Sequence, residues 1–115
     1  NQELPVFNNG KCQRDFTYID DIISGLINIF NKSDLTYDIL NLGESKTIST
    51  INLIKLIENE LGIKAKLKLM PAQPGDVEKT FADISKAKAK YGYNPQYPIE
   101  KGIKEFVLWY KNKLS

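Results

Sequence analysis

The stretch that decides the fold of this 115-residue chain reads Met70-Pro-Ala-Gln-Pro-Gly-Asp-Val-Glu-Lys-Thr-Phe-Ala-Asp-Ile-Ser-Lys-Ala-Lys-Ala-Lys-Tyr-Gly-Tyr-Asn-Pro95. Its first prolines and glycine cannot continue a strand interior, so they predict a loop from Pro71 to about Lys79. Beyond the loop, Asp83 is expected to cap a short helix that ends at Gly92. The stretch therefore predicts a polar loop that leads directly into a capped helix.

The N-terminal region has the pattern of two short strands followed by a helix. Asn9-Gly10 stands between two extended runs and predicts a hairpin turn that joins them. Asp20 and Asp21 are expected to form an acidic cap for a helix that runs to about Lys32. The apolar residues that share one face of this predicted helix are Ile22, Ile23, Leu26, Ile27 and Phe30.

The central region predicts a strand and a second long helix. Residues Thr36 to Gly43 mix aromatic and branched side chains up to a glycine, which indicates a largely buried strand. Ser49 or Thr50 is expected to cap the helix that follows, and Gly62 to end it.

The C-terminal half completes an alternation of strands and helices. Charged and apolar side chains alternate over residues 64–70 and predict a strand with one face in solvent. Pro98 marks the first turn of a last helix. Together the elements predict one compact α/β unit over residues 1–115.

The composition is that of an ordinary globular protein, and it limits the chemistry. Hydrophobic residues make up 42% and charged residues 26%, and the net charge of +2 does not favour nucleic acid as a partner. The sequence has no histidine and one cysteine, Cys12, which removes Ser-His and Cys-His nucleophiles and any intrachain disulfide. We therefore expect a cytoplasmic protein with no metal site. No membrane partner is expected either, because no apolar run approaches the length of a span.

Three motifs together are similar to those of one enzyme family. They are Arg14-Asp-Phe-Thr-Tyr-Ile-Asp-Asp21, Gln73-Pro-Gly-Asp76 and Gly102-Ile-Lys-Glu-Phe-Val-Leu-Trp-Tyr110. On these motifs the chain resembles the C-terminal, substrate-binding part of the extended short-chain dehydrogenase/reductase family of NAD-dependent epimerases and dehydratases, and most of all the UDP-glucuronate epimerases. The resemblance implies a small mixed α/β C-terminal domain of a Rossmann-type epimerase, with the Rossmann half absent.

The resemblance also implies a division of labour between two halves of a longer enzyme. The Rossmann half carries NAD and a catalytic Tyr/Lys pair, and the C-terminal half binds the UDP-sugar. The implied reaction is oxidation at sugar C4 by hydride transfer to NAD, rotation of the keto sugar and return of the hydride. This chain is then expected to hold no cofactor and to be inactive alone. Its partner would be the missing half, and the apolar surface left bare is expected to favour self-association.

Arg14 and Asp76 each have a structural and a functional interpretation. Arg14 either pairs with Asp15 or another nearby carboxylate, or binds a diphosphate through bidentate hydrogen bonds. Asp76 either caps backbone N–H groups of its turn or accepts hydrogen bonds from sugar hydroxyls. The resemblance implies the functional role for both residues, with diphosphate on Arg14 and ribose on Asp76.

Three further residues are candidates for contact with the substrate. Many relatives carry arginine where this chain has Gln73, and glutamine is more like the glucuronate-type enzymes, so Arg14 is left to meet most of the phosphate charge. Asn41, near the end of the predicted strand, either satisfies a structural amide or contacts substrate, and the resemblance implies the latter. Phe7 either belongs to the core or lies beside the nucleotide base.

No residue of this chain is assigned to catalysis or to a cofactor. Tyr97 and Lys101 match the Tyr-x-x-x-Lys signature of the family, but Pro98 disfavours a helical conformation at Tyr97. The seven glycines are dispersed, and no Gly-x-Gly-x-x-Gly turn is present. The nucleotide is therefore the ligand expected here, and NAD is expected elsewhere.

Other functions stay open at this point. The parent enzyme could be a nucleotide-sugar dehydratase or decarboxylase, since these share the architecture, and the chain could also be a free-standing nucleotide-binding module. A nucleic-acid adaptor using Lys64, Lys66 and Lys68 is disfavoured because no aromatic platform accompanies the lysines. The sugar and the oligomeric state are not decided by the sequence.

Overall fold

A computed structural model describes residues 2–32, 34 and 37–115. Short strands and longer helices alternate along these residues. The strands are β1 (Leu4–Val6), β2 (Gln13–Arg14), β3 (Ile48–Ser49) and β4 (Leu67–Leu69). The helices are α1 (Ile19–Lys32), α2 (Thr50–Leu61), α3 (Ser85–Tyr91) and α4 (Ile99–Leu114), with a 3-10 turn at Phe7–Gly10. None of these helices has the length and apolarity to cross a membrane.

The strands form two separate pairs, and the predicted hairpin is wrong. β1 runs parallel to β4, and β2 runs antiparallel to β3. Asn9 does lie in a turn, with a left-handed φ of 50°, a conformation that asparagine tolerates. A Cβ on Gly10 would lie 2.8 Å from the Cβ of Ile51 on α2. The glycine thus allows the turn to pack on α2, and the two flanking strands find partners far along the chain.

The long helices agree with their predicted positions. α1 begins at Ile19 and ends at Lys32. The Ser49 hydroxyl oxygen accepts a hydrogen bond from the backbone N–H of Asn52, and Gly62 ends α2 with a left-handed φ of 70°. The predicted cap of α3 is displaced by one residue, since Asp83 precedes the N-cap but still accepts from the backbone N–H of Ser85 at 3.0 Å.

The predicted strand from Thr36 to Gly43 is wrong where it can be compared. Thr36 lies outside the described residues, and residues 37–43 belong to no strand. Side chains fix this segment instead, because Asp38 accepts hydrogen bonds from the ammonium groups of Lys86 and Lys90 and from the hydroxyl of Tyr91. The segment is thus bound to α3 through side-chain hydrogen bonds. The strand predicted over residues 64–70 is confirmed as the shorter β4.

The core lies where α1, α3 and the segment before α4 meet. Buried Ile84, Ala87 and Tyr93 form its centre, with Leu40, Leu42 and Ala82 packed around them. The Tyr93 hydroxyl donates to the Gly43 carbonyl at 2.7 Å. A Cβ on Gly25 of α1 would lie 2.8 Å from the Tyr93 ring. This packing holds the turn after Gly43 beside the end of β2, where the candidate site begins.

One face of α1 is apolar and open to solvent. Phe30 is 85% exposed and Ile19 59% exposed, although both belong to the hydrophobic side of the helix. α4 likewise exposes Phe106, Trp109 and Leu114. Exposed apolar surface of this kind is typical of an interaction site.

Candidate functional site

The site begins where β2 lies beside the loop of residues 71–80. The backbone N–H of Gln13 donates to the Glu78 carbonyl at 2.8 Å, and the Thr80 N–H donates to the Gln13 carbonyl at 3.2 Å. These bonds extend the β2 pairing into a loop that has little regular structure of its own. They bring Arg14 Nη2 within 3.0 Å of Asp76 Oδ1. Two residues 62 positions apart thus form one pair.

The guanidinium of Arg14 is held in a fixed orientation. Its Nη1 donates to the carbonyls of Gln13 at 2.7 Å and Glu78 at 3.4 Å, and its Nη2 donates to Asp76. A guanidinium has five N–H donors, so these three bonds leave two for another acceptor. The side chains of Arg14 and Asp76 remain 30% and 36% exposed. The pair is therefore oriented by the protein and accessible from solvent.

The Asp76 carboxylate is positioned by the turn that precedes it and by side chains on two sides. Gly75 has a φ of 80°, and the Asp76 N–H donates to the Gln73 carbonyl at 3.2 Å. Asp76 Oδ2 accepts from the Cys12 thiol at 3.8 Å. The carboxylate thus contacts Arg14 and Cys12 rather than backbone amides of its turn. Gln73 is exposed on the same loop.

The structure places Phe7 and Asn41 differently with respect to this pair. The Asn9 N–H donates to the Met70 carbonyl at 3.1 Å, which sets the 3-10 turn containing Phe7 beside the start of the loop. Phe7 itself is half-buried. Asn41 is exposed in the segment without a strand, and within the described part of the chain no hydrogen bond joins it to Arg14 or Asp76. Phe7 therefore lies on an element that borders the loop, whereas among the described residues Asn41 has no hydrogen bond to the pair.

The sequence analysis considered Asp15 only as a possible ion-pair partner of Arg14 and missed its structural role. Its carboxylate accepts hydrogen bonds from the backbone N–H groups of Glu44, Ser45 and Ala82, at 3.0, 2.9 and 3.1 Å, and from the Thr17 hydroxyl. It therefore fixes the end of β2 to two other segments. No local signal predicts this role, because the three amides belong to residues 29, 30 and 67 positions further along the chain.

Asp21 has a different role from the predicted one. α1 begins at Ile19, so Asp21 lies inside the first turn instead of capping it. The side chain is 1% exposed, and its oxygens accept from the backbone N–H groups of Gln96 at 2.7 Å and Tyr97 at 2.9 Å. Asp21 thus anchors the segment that leads into α4.

A mainly apolar cleft of about 450 Å³ lies between the segment that follows β2 and the start of α4. Its walls include Tyr18 and Tyr97, whose ring centroids are 4.6 Å apart. Tyr97 precedes α4, and Lys101 Nζ lies 4.2 Å from the centre of the Tyr97 ring. The two residues of the Tyr-x-x-x-Lys match therefore do not share a helix, as the sequence predicted.

The part of the chain that the structure describes contains neither a glycine-rich phosphate loop nor a cluster of metal ligands. Four glycines with positive φ, Gly10, Gly62, Gly75 and Gly92, lie at separate turns and helix ends instead of in one loop that could surround a diphosphate. No group of three or more metal-ligating side chains occurs in the ranges that the structure covers. The Arg14–Asp76 pair is consequently the strongest candidate for a site that binds an anionic ligand.

Comparison with known proteins places this geometry in a family. A sequence profile of the family described as GDP-mannose 4,6 dehydratase matches residues 1–106. The chain belongs to this family. A UDP-glucuronate 4-epimerase from Thermodesulfobacterium geofontis is 41% identical over 97% of this chain and 34% of its own length. An uncharacterized protein from Methanocaldococcus jannaschii is 45% identical over 95% of this chain and 33% of its own length.

Solved structures show the same fold. The UDP-glucuronic acid 4-epimerase of Bacillus cereus, in complex with UDP-glucuronic acid and NAD, superposes with a TM-score of 0.84 at 31% identity, over 99% of this chain and 36% of that one. The UDP-glucose 4-epimerase of Thermotoga maritima, with UDP-glucose, gives a TM-score of 0.88 at 29% identity over the same shares. The chain thus spans about a third of the length of these proteins. The predicted likeness to nucleotide-sugar epimerases and the mixed α/β C-terminal fold are confirmed.

Proposed function

We propose that residues 1–115 form one unit, the C-terminal, UDP-sugar-binding part of an NAD-dependent UDP-glucuronate 4-epimerase. The observation that carries the proposal is the 3.0 Å contact between Arg14 and Asp76, which unites two motifs from distant parts of the sequence. The 41% identity to a UDP-glucuronate 4-epimerase supports the choice of substrate.

Arg14 is the proposed diphosphate ligand. Its orientation is fixed by the Gln13 and Glu78 carbonyls, and it keeps donors for an anion. Charge-assisted hydrogen bonds to phosphate are short and about twice as strong as neutral ones, and a guanidinium can form two in parallel. Because the group is already ordered, binding loses little further side-chain entropy.

Asp76 is the proposed ribose ligand. A carboxylate accepts hydrogen bonds from adjacent hydroxyl groups, and this one is accessible at the tip of a tight turn. Gln73 on the same loop is proposed to lie near the phosphates, Phe7 beside the base, and Asn41 against the sugar. Of these three assignments, that of Asn41 rests on the resemblance alone.

NAD and the residues that act on sugar C4 are proposed to belong to another part of the parent protein. NAD supplies the hydride chemistry, and this chain binds and orients the sugar nucleotide. The chain alone is then expected to be inactive. An assay of UDP-glucuronate with added NAD should detect no UDP-galacturonate, and steady turnover by the purified chain would contradict the proposal.

The binding proposal is tested by calorimetric titration of UDP into the chain and three variants. Arg14→Ala should weaken binding by about tenfold to a hundredfold, since a hydrogen bond to a charged group contributes about 1.5–3 kcal/mol. Asp76→Asn should weaken the binding of UDP and of uridine to a similar extent, because both ligands carry the ribose. Lys113→Ala removes one positive charge from the exposed end of α4 and should leave the affinity unchanged. Equal effects of Arg14→Ala and Lys113→Ala would refute a specific phosphate contact.

A dehydratase of a guanosine-linked sugar is a second candidate, because the matching family is described as GDP-mannose 4,6 dehydratase. The same titration distinguishes the two by the base. Tighter binding of UDP than of GDP supports the epimerase, and the reverse order supports the dehydratase. If neither nucleotide binds, both candidate functions would be contradicted.

The Rossmann half of the parent enzyme is the proposed partner of the exposed apolar face on α1. That face includes Ile23, Ile27 and Phe30. Without the partner, copies of this chain are expected to associate through the face. Light scattering should show a mass that rises with concentration, and Phe30→Ser should reduce the rise. A constant monomer mass at high concentration would contradict this part of the proposal.

A further inference from the structure

The Cys12 thiol connects the Asp76 carboxylate to the interior of the domain. Cys12 is 8% exposed, and its Sγ donates to Asp76 Oδ2 at 3.8 Å. The same sulfur accepts a hydrogen bond from Asn8 Nδ2 at 3.4 Å. A thiol is a weak donor and a weak acceptor, so each contact alone contributes little. Together the contacts form a directed chain from amide to thiol to carboxylate, and its last member is the proposed ribose ligand.

The backbone fixes the position from which the thiol donates. The Cys12 carbonyl accepts hydrogen bonds from the backbone N–H and the hydroxyl of Thr50, at 3.0 and 3.3 Å, at the start of α2. Asn8 has a left-handed φ of 49° in the 3-10 turn, and its carbonyl accepts from the Lys11 N–H at 2.9 Å. The sulfur is therefore held between the first turn of a helix and a tight turn.

Asp76 depends on such an anchor because its side chain has a soft torsion. The χ2 rotation of an aspartate is broad and is not confined to staggered wells. Arg14 Nη2 contacts Oδ1 at 3.0 Å and Cys12 Sγ contacts Oδ2, so one donor holds each oxygen. A carboxylate has about four acceptor sites, and these two bonds leave one on each oxygen. A carboxylate in this state matches two adjacent hydroxyl groups, one for each oxygen.

We propose that Cys12 is a positioning residue that makes the Asp76 carboxylate selective for the two ribose hydroxyls of a nucleotide. The inference rests on the proposed role of Asp76 as the ribose ligand. A carboxylate fixed in one plane accepts from both the 2′- and the 3′-hydroxyl, whereas 2′-deoxyribose leaves one oxygen without its donor. Without the thiol, the carboxylate turns to follow the single remaining hydroxyl, and the difference in affinity between the two sugars becomes smaller.

The first test is calorimetric titration of UDP and of 2′-deoxy-UDP, which measures this selectivity as the ratio of their dissociation constants. The wild type should bind UDP about tenfold or more tightly, since the deoxy analogue lacks one hydrogen bond to a charged group. Cys12→Ala should reduce the ratio about threefold, the order expected for one neutral hydrogen bond. Cys12→Ser keeps a donor and an acceptor at this position and should restore the ratio.

A buried truncation outside the proposed site is the control for a general loss of packing. Val107→Ala on α4 should lower stability and leave the ratio unchanged. If UDP binds and the ratio is the same in Cys12→Ala as in the wild type, this inference is overturned and the proposed function stands. An equal reduction in Cys12→Ser and Cys12→Ala would assign the effect to packing, and would also overturn the inference.

The second test measures the thiol contact without a nucleotide. Cys12 is the only cysteine of the sequence, so the S–H stretching band in a Raman spectrum belongs to it alone. Donation to a carboxylate lowers the frequency of this band. Asp76→Ala should therefore raise the frequency, whereas Asp20→Ala, which removes an exposed acid from α1, should leave it unchanged.

The two tests separate failure of this inference from failure of the proposed function. The same S–H frequency in the wild type and in Asp76→Ala would overturn the inference, whether or not a nucleotide binds. If the frequency rises in Asp76→Ala but the wild type binds neither UDP nor 2′-deoxy-UDP, the thiol contact is established, and the proposed function and the ribose selectivity are both refuted.

Discussion

Arg14 and Asp15 are neighbours in the sequence, yet they belong to two polar clusters of opposite character. Arg14 faces outward and pairs with Asp76 across a loop, with both side chains about one-third exposed. Asp15 faces inward and accepts hydrogen bonds from three backbone amides. We call Arg14 and Asp76 the outer pair. We call Asp15, Asp21, Glu44 and Tyr93 the inner cluster. The outer pair joins side chain to side chain, whereas the inner cluster largely joins side chain to backbone.

The difference indicates which acids serve the fold and which serve a ligand. Asp15 pairs with backbone amides that are partly buried, so its removal would leave those amides without their acceptor. An exposed ion pair contributes little to stability, because water replaces either partner at small cost. Stability and nucleotide binding should therefore respond to different substitutions, even one residue apart.

The largest expected effect comes from Asp15→Ala. Three backbone amides lose their acceptor together, so we expect the free energy of unfolding to fall by about 3 kcal/mol or more. Urea denaturation followed by circular dichroism measures this change. Asp20→Ala, which removes an exposed acid from α1, serves as the control and should cost far less. Equal losses in the two variants would show that Asp15 does not hold the fold.

Tyr93→Phe should give the next largest loss. The substitution removes the hydroxyl that donates to Gly43 and keeps the ring, so we expect about 1 kcal/mol. Burial, followed by the nearby Asp21 and Glu44 carboxylates, raises the pKa of Tyr93 to about 12. An ultraviolet titration should therefore contain a tyrosine component that ionises near pH 12, and Tyr93→Phe should remove that component. A titration identical to that of the wild type would contradict the assignment.

Asp38→Asn should have a smaller effect that depends on pH. Hydrogen bonds from Lys86, Lys90 and Tyr91 hold the pKa of Asp38 well below its usual range. A lowered pKa contributes stability above the unfolded-state pKa and loses it as pH falls. Wild-type protein should therefore lose more stability on acidification than Asp38→Asn. Glu3→Gln is the control, and a parallel loss in Asp38→Asn and wild type would contradict the ion-pair account.

The smallest effect on stability is expected at the outer pair. Asp76→Asn should change the free energy of unfolding by no more than about 0.5 kcal/mol, because the ion pair with Arg14 is exposed. The same variant should nevertheless weaken uridine binding. If Asp76→Asn lost as much stability as Asp15→Ala, the outer pair would stabilise the fold as the inner cluster does. That result would contradict the distinction between them.

The helices could be predicted from the sequence because their signals are local. α1 and α2 follow from apolar periodicity, and Ser49 and Gly62 mark the ends of α2 through their own backbone preferences. The hairpin at Asn9-Gly10 was wrong because the turn residues do not specify which strands pair. The strand expected up to Gly43 was wrong because Asp38 binds α3 side chains, a choice made by tertiary contacts.

The candidate site was predictable only in part for the same reason. The motifs single out Arg14 and Asp76, but no local rule places side chains 62 positions apart in contact. Asp21 resembles a helix cap in sequence, and its bonds to Gln96 and Tyr97 arise only once α4 has packed. Glu44 carries no sequence signal of burial, since charged residues are usually exposed.

The most direct test of the account maps UDP-glucuronate binding on the backbone amide resonances of the chain. We predict that the largest chemical-shift changes occur at Gln13 and Arg14 and at residues 73–76, while amides near Asp38 and in α3 stay unchanged. Arg14→Ala should abolish the changes at equal ligand concentration. Shifts centred on α3, or no shifts at high ligand concentration, would contradict the claim that the outer pair binds the nucleotide sugar.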